Sequence, residues 1–274
     1  SSRRQEVRYA LRHPSRPMFN RAIRAAVAPG SIFKVVTGYQ ALKEGKIDAE
    51  DTFSCSGLFQ LGTGKFRCWR EEGHGPQTVS DALEHSCNIF FYSTGRRLGV
   101  EKIAEGARRF GLGRPTGIDL PREGTGLVPD RAWMNQVLKQ PWQEGDTLSF
   151  AIGQGPLQVT PLQMLCLITA VATEGSVPQP HLLKEIDGEL SPHRWPVTRI
   201  PLDREALARV KVGLERVVGS PTGTGRLAQV PGVTAAGKTG TAQVSQGEAH
   251  AWFFGYAPAD NPRLSFVVFL EHGG

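Results

Sequence analysis

Pro29-Gly30-Ser31-Ile32-Phe33-Lys34 decides how this chain is read: a turn runs straight into a helix carrying a serine and, three residues on, a lysine. Ile32, Phe33, Val35, Val36, Tyr39 and Leu42 make that helix apolar on more than one side, and Gly45 supplies its stop. The helix is therefore expected to be buried. A lysine in its first turn needs a chemical reason, because an unpaired buried ammonium is costly. At i, i+3 the amine shares a face with the serine hydroxyl. Burial lowers a lysine pKa, so the amine becomes a proton acceptor, and the helix N-terminus favours negative charge developing on the serine. Such a pair activates a weak nucleophile. Alone, Ser-x-x-Lys also describes a surface serine beside a snorkelling lysine, so its force depends on what surrounds it.

Two further stretches supply that context. Ser86-Cys87-Asn88 lies between two helical runs, and Lys238-Thr239-Gly240-Thr241 lies in a strand-like run near the C-terminus. S-x-x-K, S-x-N and K-T-G in this order form the motif set of penicillin-binding proteins and class A β-lactamases. Phe19-Asn20-Arg21-Ala22-Ile23, Gly73-His74-Gly75, Pro115 to Pro121, Gly153-Gln154-Gly155 and Gly237 to Gln243 extend the likeness from about residue 19 to the end. On these residues the chain resembles the class B penicillin-binding proteins. Gly73-His74-Gly75 and Ser86-Cys87-Asn88 are most similar to the penicillin-binding protein 2 group, which acts in cell elongation.

The resemblance implies an α+β fold of the β-lactamase/transpeptidase type, a mainly antiparallel sheet packed against a helical subdomain with the active site in the groove between them. Residues 1–274 would form one transpeptidase domain, a fragment without the family's membrane anchor and pedestal domain. The activity implied is peptidoglycan D,D-transpeptidation on stem peptides ending in D-Ala-D-Ala, inhibited covalently by β-lactams. Ser31 would be the nucleophile, Lys34 the base and Ser86 a proton relay. Asn88 would hydrogen-bond Lys34 and the substrate amide. Lys238 would hold the substrate carboxylate and polarise Ser86, and Thr239 would add a hydroxyl. Gly240 would keep the strand edge bare for substrate, with the N–H groups of Ser31 and Thr241 as the oxyanion hole. The resemblance also implies a periplasmic site at the inner membrane, with a SEDS glycosyltransferase and elongation scaffold proteins as partners. The alternatives are a division-type class B protein and a β-lactam sensor domain that does not turn over. Apart from Glu84-His85-Ser86-Cys87-Asn88, which overlaps the second motif, no Glu-x-x-x-Asn element is found, nor a Tyr-Gly-Asn element, as β-lactamases use. The chain start and the Ser245-to-Ala249 connection are shorter than the resemblance implies, which leads one to expect breaks near Ser2–Arg3 or around Val244–Gln246.

Composition agrees with a globular body: 274 residues, 39% hydrophobic and 21% charged. The net charge of +6 is spread without a basic run or an interleaved aromatic platform, which argues against nucleic acid. No run reaches the ~18 apolar residues of a membrane span. Asp51 to Gly75 reads as short strands and loops, and Thr78 with Asp81 as a capping box for a helix to His85. Further helices are expected over Asn88–Leu98, Val100–Phe110 and from about Thr160 to Ala172, with Leu207, Val210, Leu214 and Val217 on one helix face. Val233–Val244, Ala251–Ala257 and Arg263–His272 read as strands, the last two antiparallel about the Asp260-Asn261-Pro262 turn. Ser1 to Pro17 is polar, with weak periodicity.

Cys55, Cys68 and Cys87 share the region between the first two motifs with His74, at the spacing C-x12-C-x5-H-x12-C. That is no standard finger, but Cys3His is a closed tetrahedral zinc set. The resemblance also implies a zinc site here, with carboxylates at some of the positions in relatives. A structural zinc on Cys55, Cys68, His74 and Cys87 is the expectation, and a Cys55–Cys68 disulfide is the alternative. Zinc there would pin Ser86 and Asn88 over Ser31. Trp69, Trp133, Trp142 and Trp252 read as core or cleft walls, Gln154 as a turn residue on the cleft floor, His250 as a packed histidine, and Cys166 as an inert buried thiol.

Overall fold

The apolar run after Ser31 is buried as expected, with one local difference. Ser31 lies in a tight 3-10 turn, Gly30–Phe33, and the α-helix proper, α3 (Lys34–Lys43), begins at the lysine. The computed structural model describes every residue except Ser1, Pro192, Ser245, Gln246 and Gly274, and of Ser2 only the backbone. Before the turn come α1 (Ser2–Arg12) and the short α2 (Arg21–Arg24). Helix α1 runs through Ser2–Arg3 without a break, and the second expected break lies outside the described residues.

After α3, β1 (Phe53–Cys55) pairs antiparallel with β4 (Gly75–Gln77), and β2 (Leu58–Leu61) and β3 (Gly64–Arg67) form a hairpin between them. Helix α4 (Val79–Glu84) starts on the expected capping box: Thr78 accepts from Asp81 N–H, and Asp81 accepts from Thr78 N–H. Helix α5 (Asn88–Leu98) stops at Gly99, and α6 (Val100–Arg109) follows. Next come α7 (Arg131–Trp133), α8 (Glu144–Ala151) and α9 (Pro161–Ala172). Helix α9 opens with Thr160 and Gln163 as a second capping box and Pro161 in its first turn. Two small antiparallel pairs, β5 (Ser176–Pro178) with β8 (Val197–Arg199) and β6 (Glu185–Ile186) with β7 (Glu189–Leu190), lead to α10 (Arg204–Gly219). Leu207, Val210, Leu214 and Val217 form its buried face.

The chain ends in a three-stranded antiparallel sheet of β9 (Ala236–Ala242), β10 (His250–Ala257) and β11 (Leu264–Leu270), in the order β11-β10-β9. Helix α9 packs on β10 and β11, and α10 packs on β9 and on α4. Helix α3 lies in the middle, against α5, α6 and α10, with Phe33, Val35, Val36 and Tyr39 wholly buried. Each such side chain stabilises by about 1.5–3 kcal/mol, which is how the core tolerates a buried lysine in the same helix. Strand β9 is an edge, and it packs directly against the Gly30–Phe33 turn.

Trp142 and Trp252 are core residues, Trp133 is partly buried, and Trp69 is 60% exposed with Nε1 donating to the His85 carbonyl at 3.0 Å. His250 is packed, its Nδ1 accepting from His272 N–H at 3.1 Å. Cys166 is half-buried rather than buried, and burial pushes its thiol up to about 12, so it is inert. No helix of the described residues is long and apolar enough to cross a membrane.

Candidate active site

Three chain segments meet around Ser31. The first is the 3-10 turn, locked by main-chain contacts on two sides. Gly30 has φ +57, its N–H donates to the Gly153 carbonyl at 2.9 Å, and a Cβ on it would stand 2.3 Å from the Thr241 carbonyl oxygen. Only glycine fits there. The second segment is the end of α4. Cys87 N–H donates to the Ala82 carbonyl and Ser86 N–H to the Leu83 carbonyl, the paired bonds of a Schellman ending. Ser86 itself takes the left-handed position at φ 53, where glycine is usual. A serine held there against a cost of about 1 kcal/mol marks a side chain retained for its hydroxyl.

The third segment is β9. Its odd and even positions differ: Ala236, Lys238, Gly240 and Ala242 are all buried, whereas Thr239 is half-buried and Thr241 exposed. With side chains alternating across a strand, Thr239 and Thr241 face the groove, and Lys238 points the other way.

Lys34 is 0% exposed. Its Nζ donates to the Ser86 carbonyl at 2.8 Å, to Ser86 Oγ at 3.3 Å and to Asn88 Oδ1 at 2.7 Å. Burial pulls it down to about 8, against the opposing pull of the Cys87 and Cys68 sulfurs. Lys238 is also 0% exposed; burial, aided by the Lys34 cation, holds it well below the ordinary lysine value. Among the described residues its ammonium donates only to the Thr239 carbonyl, at 3.1 Å.

Ser31, Ser86, Asn88, Thr239, Gly240 and Thr241 line one cavity of about 680 Å³. Two of these residues gain detail here. Lys238 is buried behind the cavity wall beside Lys34, on the strand face opposite Thr239 and Thr241, with no direct bond to Ser86 among the described residues. Gly240 also has a packing role: a Cβ on it would meet Pro29 O at 3.0 Å, Ile32 Cγ2 at 3.0 Å and Ile32 N at 3.1 Å. Its missing side chain makes room for the serine's own turn.

Sequence reading missed Thr224, whose Oγ1 bonds Thr239 Oγ1 at 3.0 Å, and the cavity wall of Lys65, Phe66, Arg67 and Tyr92. The Ser220-to-Gly225 run, polar and glycine-rich after an amphipathic helix, was the available signal for Thr224. Gln154 does sit on the cavity, its Nε2 donating to the Thr241 carbonyl at 3.3 Å.

Beside the cavity, Cys55, Cys68, His74 and Cys87 bring one ligand atom each within 4.8 Å of one another. His74 Nδ1 is 3.6 Å from Cys55 Sγ and 3.5 Å from Cys68 Sγ. Zinc bonds of about 2.3 Å to sulfur and 2.0–2.1 Å to nitrogen, at a tetrahedral angle, give an S···N edge of about 3.6 Å, so donor set and spacing fit the ion. The three thiols of the cluster are free, as is Cys166. A hydrogen bond from Cys87, with the N–H groups of Arg70 and Asn88, pulls Cys68 down, while Cys87 is pushed up by that bond and by burial.

The whole chain, residues 1–274, matches the family model described as penicillin binding protein transpeptidase domain. The chain belongs to the penicillin-binding protein transpeptidase family. Its similarity to the peptidoglycan D,D-transpeptidase MrdA of Haemophilus influenzae is 34% identity over 292 residues, covering 98% of this chain and 45% of the relative. Penicillin-binding protein 2 of Pseudomonas aeruginosa, solved in complex with WCK 5153, is 34% identical, with a TM-score of 0.89 over 98% of this chain and 62% of that one. Penicillin-binding protein 2 of Helicobacter pylori, in its complex with MreC, is 33% identical with a TM-score of 0.88, over 98% of this chain and 50% of that one. This transpeptidase chain thus spans about half the length of the curated relatives it matches, 45% for the Haemophilus protein.

Proposed function

We propose that this chain is the catalytic part of an elongation-type peptidoglycan D,D-transpeptidase, with Ser31, Lys34, Ser86, Asn88 and Lys238 as its reacting set. The observation that carries the reading is Lys34: wholly buried, one turn after Ser31, and bonded to both Ser86 and Asn88.

Ser31 attacks the carbonyl of the penultimate D-alanine while the Lys34 amine takes its proton. The N–H groups of Ser31 and Thr241 receive the oxyanion. When the intermediate collapses, the C–N bond to the terminal D-alanine breaks and Ser86 passes a proton to the leaving amine. A neutral lysine has two hydrogens to donate rather than three. The 3.3 Å contact from Nζ to Ser86 Oγ is the longest of its three, and once Lys34 carries the proton of Ser31 it is the path by which Nζ returns a proton to Ser86 as that hydroxyl gives its own to the leaving amine. An amine from a second stem peptide then attacks the acyl-serine and restores Ser31. Thr239 and Thr241 bind the substrate carboxylate on the cavity side of β9, and Lys238 acts on it from behind the strand as a charge.

Cys55, Cys68, His74 and Cys87 would hold a structural zinc. It supplies placement and no reaction step: Cys87 separates Ser86 from Asn88, and Asn88 N–H already donates to Cys68 Sγ at 3.4 Å. The likeness to a protein solved with MreC supports a scaffold partner of that kind, and the family supports a SEDS glycosyltransferase and a membrane-anchored, periplasmic setting.

Intact mass after incubation with benzylpenicillin tests the reading. A lasting one-to-one adduct, absent in Ser31→Ala, is expected. Rapid turnover of a chromogenic cephalosporin would show a β-lactamase instead.

A further inference from the structure

We propose that Lys65 and Arg67, on the β2–β3 hairpin, form a second carboxylate subsite that selects stem peptides bearing a free carboxylate away from the scissile end. This deepens the transpeptidase reading and rests on it. Of the described residues lining the 680 Å³ cavity, Lys65 and Arg67 are the charged ones, and no acid lines it. Lys34 and Lys238 are sealed behind its floor, both 0% exposed.

The two cations sit at i and i+2 of β3 and so project from one face of the hairpin. Both are exposed, and among the described residues neither head meets a carboxylate or a hydrogen-bond acceptor. Half-buried Arg21 is paired with Glu271 and exposed Arg108 with Asp130, whereas other exposed arginines such as Arg114 and Arg122 have no carboxylate partner among the described residues, so it is the place of Lys65 and Arg67 on the cavity that sets them apart. A cavity whose only charged lining residues are cations attracts an anion, and a guanidinium grips a carboxylate through two parallel bonds.

The hairpin is held where such recognition has a use. The Arg67 carbonyl accepts from Asn88 Nδ2 at 3.1 Å and from Tyr92 OH at 3.4 Å. Cys68, the next residue, donates its N–H to the Gly57 carbonyl at 2.8 Å and belongs to the thiol–imidazole cluster. The backbone of Arg67 is therefore fixed to the same Asn88 that holds Lys34. On the transpeptidase reading the C-terminal carboxylate goes to the Thr239–Thr241 wall of the same cavity, so a carboxylate reaching Arg67 is a different one, further along the peptide.

The probe is a synthetic pentapeptide ending in D-Ala-D-Ala, made with an internal free carboxylate or with the matching carboxamide. Each is used to protect the protein from acylation by a fluorescent penicillin, and each variant's own acylation rate without peptide is its reference. Wild type is expected to need about tenfold less carboxylate peptide than carboxamide peptide for half-protection. The ratio should fall below about twofold in Lys65→Gln/Arg67→Gln, and Arg67→Glu should invert it. Lys46→Gln, which changes an exposed lysine outside this cavity, should keep the wild-type ratio. No preference in wild type, or a preference that survives the double substitution, overturns the subsite. Failure of penicillin to label Ser31 at all would instead overturn the transpeptidase reading beneath it.

Discussion

Gly240→Ala tests how the serine's turn is positioned. The new Cβ would stand 3.0 Å from Pro29 O, 3.0 Å from Ile32 Cγ2 and 3.1 Å from Ile32 N. Ordinary contact begins at about 3.4 Å, so relief requires a shift of about 0.3–0.4 Å. Strand β9 cannot recede, because Gly240 is paired with Trp252 in the sheet and Trp252 is itself buried, its Nε1 bonded to the Ala28 carbonyl at 3.1 Å. The turn carrying Ser31 must move instead. If about 1 Å of misplacement costs a hundredfold in rate, this shift costs about fivefold. Overpacking of this kind destabilises by about 1–3 kcal/mol, or about 2–10 °C in melting temperature for a chain of this size. Stopped-flow acylation by a fluorescent penicillin, with a thermal melt, reads both. Gly219→Ala, where a new Cβ meets nothing within 4 Å, is the control and should leave both unchanged or raise the melt slightly. Wild-type acylation and melting in Gly240→Ala would refute the argument that this contact sets the position of Ser31.

With Lys34 pulled down to about 8, roughly a tenth of it is neutral at pH 7, so acylation should rise about tenfold per pH unit below that point and level off above it. Asn88→Asp places a carboxylate against Nζ and should move the profile up by about 1–2 units, and a profile of unchanged midpoint would show that Lys34 is not the titrating base. Ser86→Gly relieves the left-handed strain that Ser86→Ala retains; both should lose acylation, while the glycine variant melts about 2–4 °C above the alanine one, and the reverse order would contradict the strain argument. Chelation, or His74→Ala, should lower melting temperature and acylation rate together, whereas metal analysis finding no zinc in active protein would remove the ion from the account.

Where the local chemistry was self-sufficient, the sequence could be read to the residue. The Thr78–Asp81 capping box and Gly99 bracket α4 and α5 because each satisfies helix-end backbone groups on its own. The motif residues were identifiable through the resemblance that their order carries, and the three cysteines with His74 did converge. What escaped depended on partners distant in sequence. Helix α1 carries no apolar stripe to announce it. The β5–β8 pair is joined only by register across an intervening hairpin. Lys238 is instructive: its role was assigned from the motif, while the two-residue periodicity of Ala236 to Ala242 already placed it on the face opposite Thr239 and Thr241. Arg67 went unnoticed because a charged residue on a short hairpin looks like any solvated surface until the cavity beneath it is known.

The two sealed lysines make the cavity floor a proton reservoir. Neither Lys34 nor Lys238 has a carboxylate partner among the described residues, both are held below the ordinary lysine value by burial, and the Lys34 cation further disfavours charge on Lys238. An anion arriving above them favours the protonated forms, so capture of ligand draws protons from solvent. Binding heats measured in buffers of different ionisation enthalpy should therefore diverge, and tight binding and an available base become opposed demands on the same pair of amines. The site binds best when its floor is charged and reacts only once the Lys34 side of that floor gives its proton back.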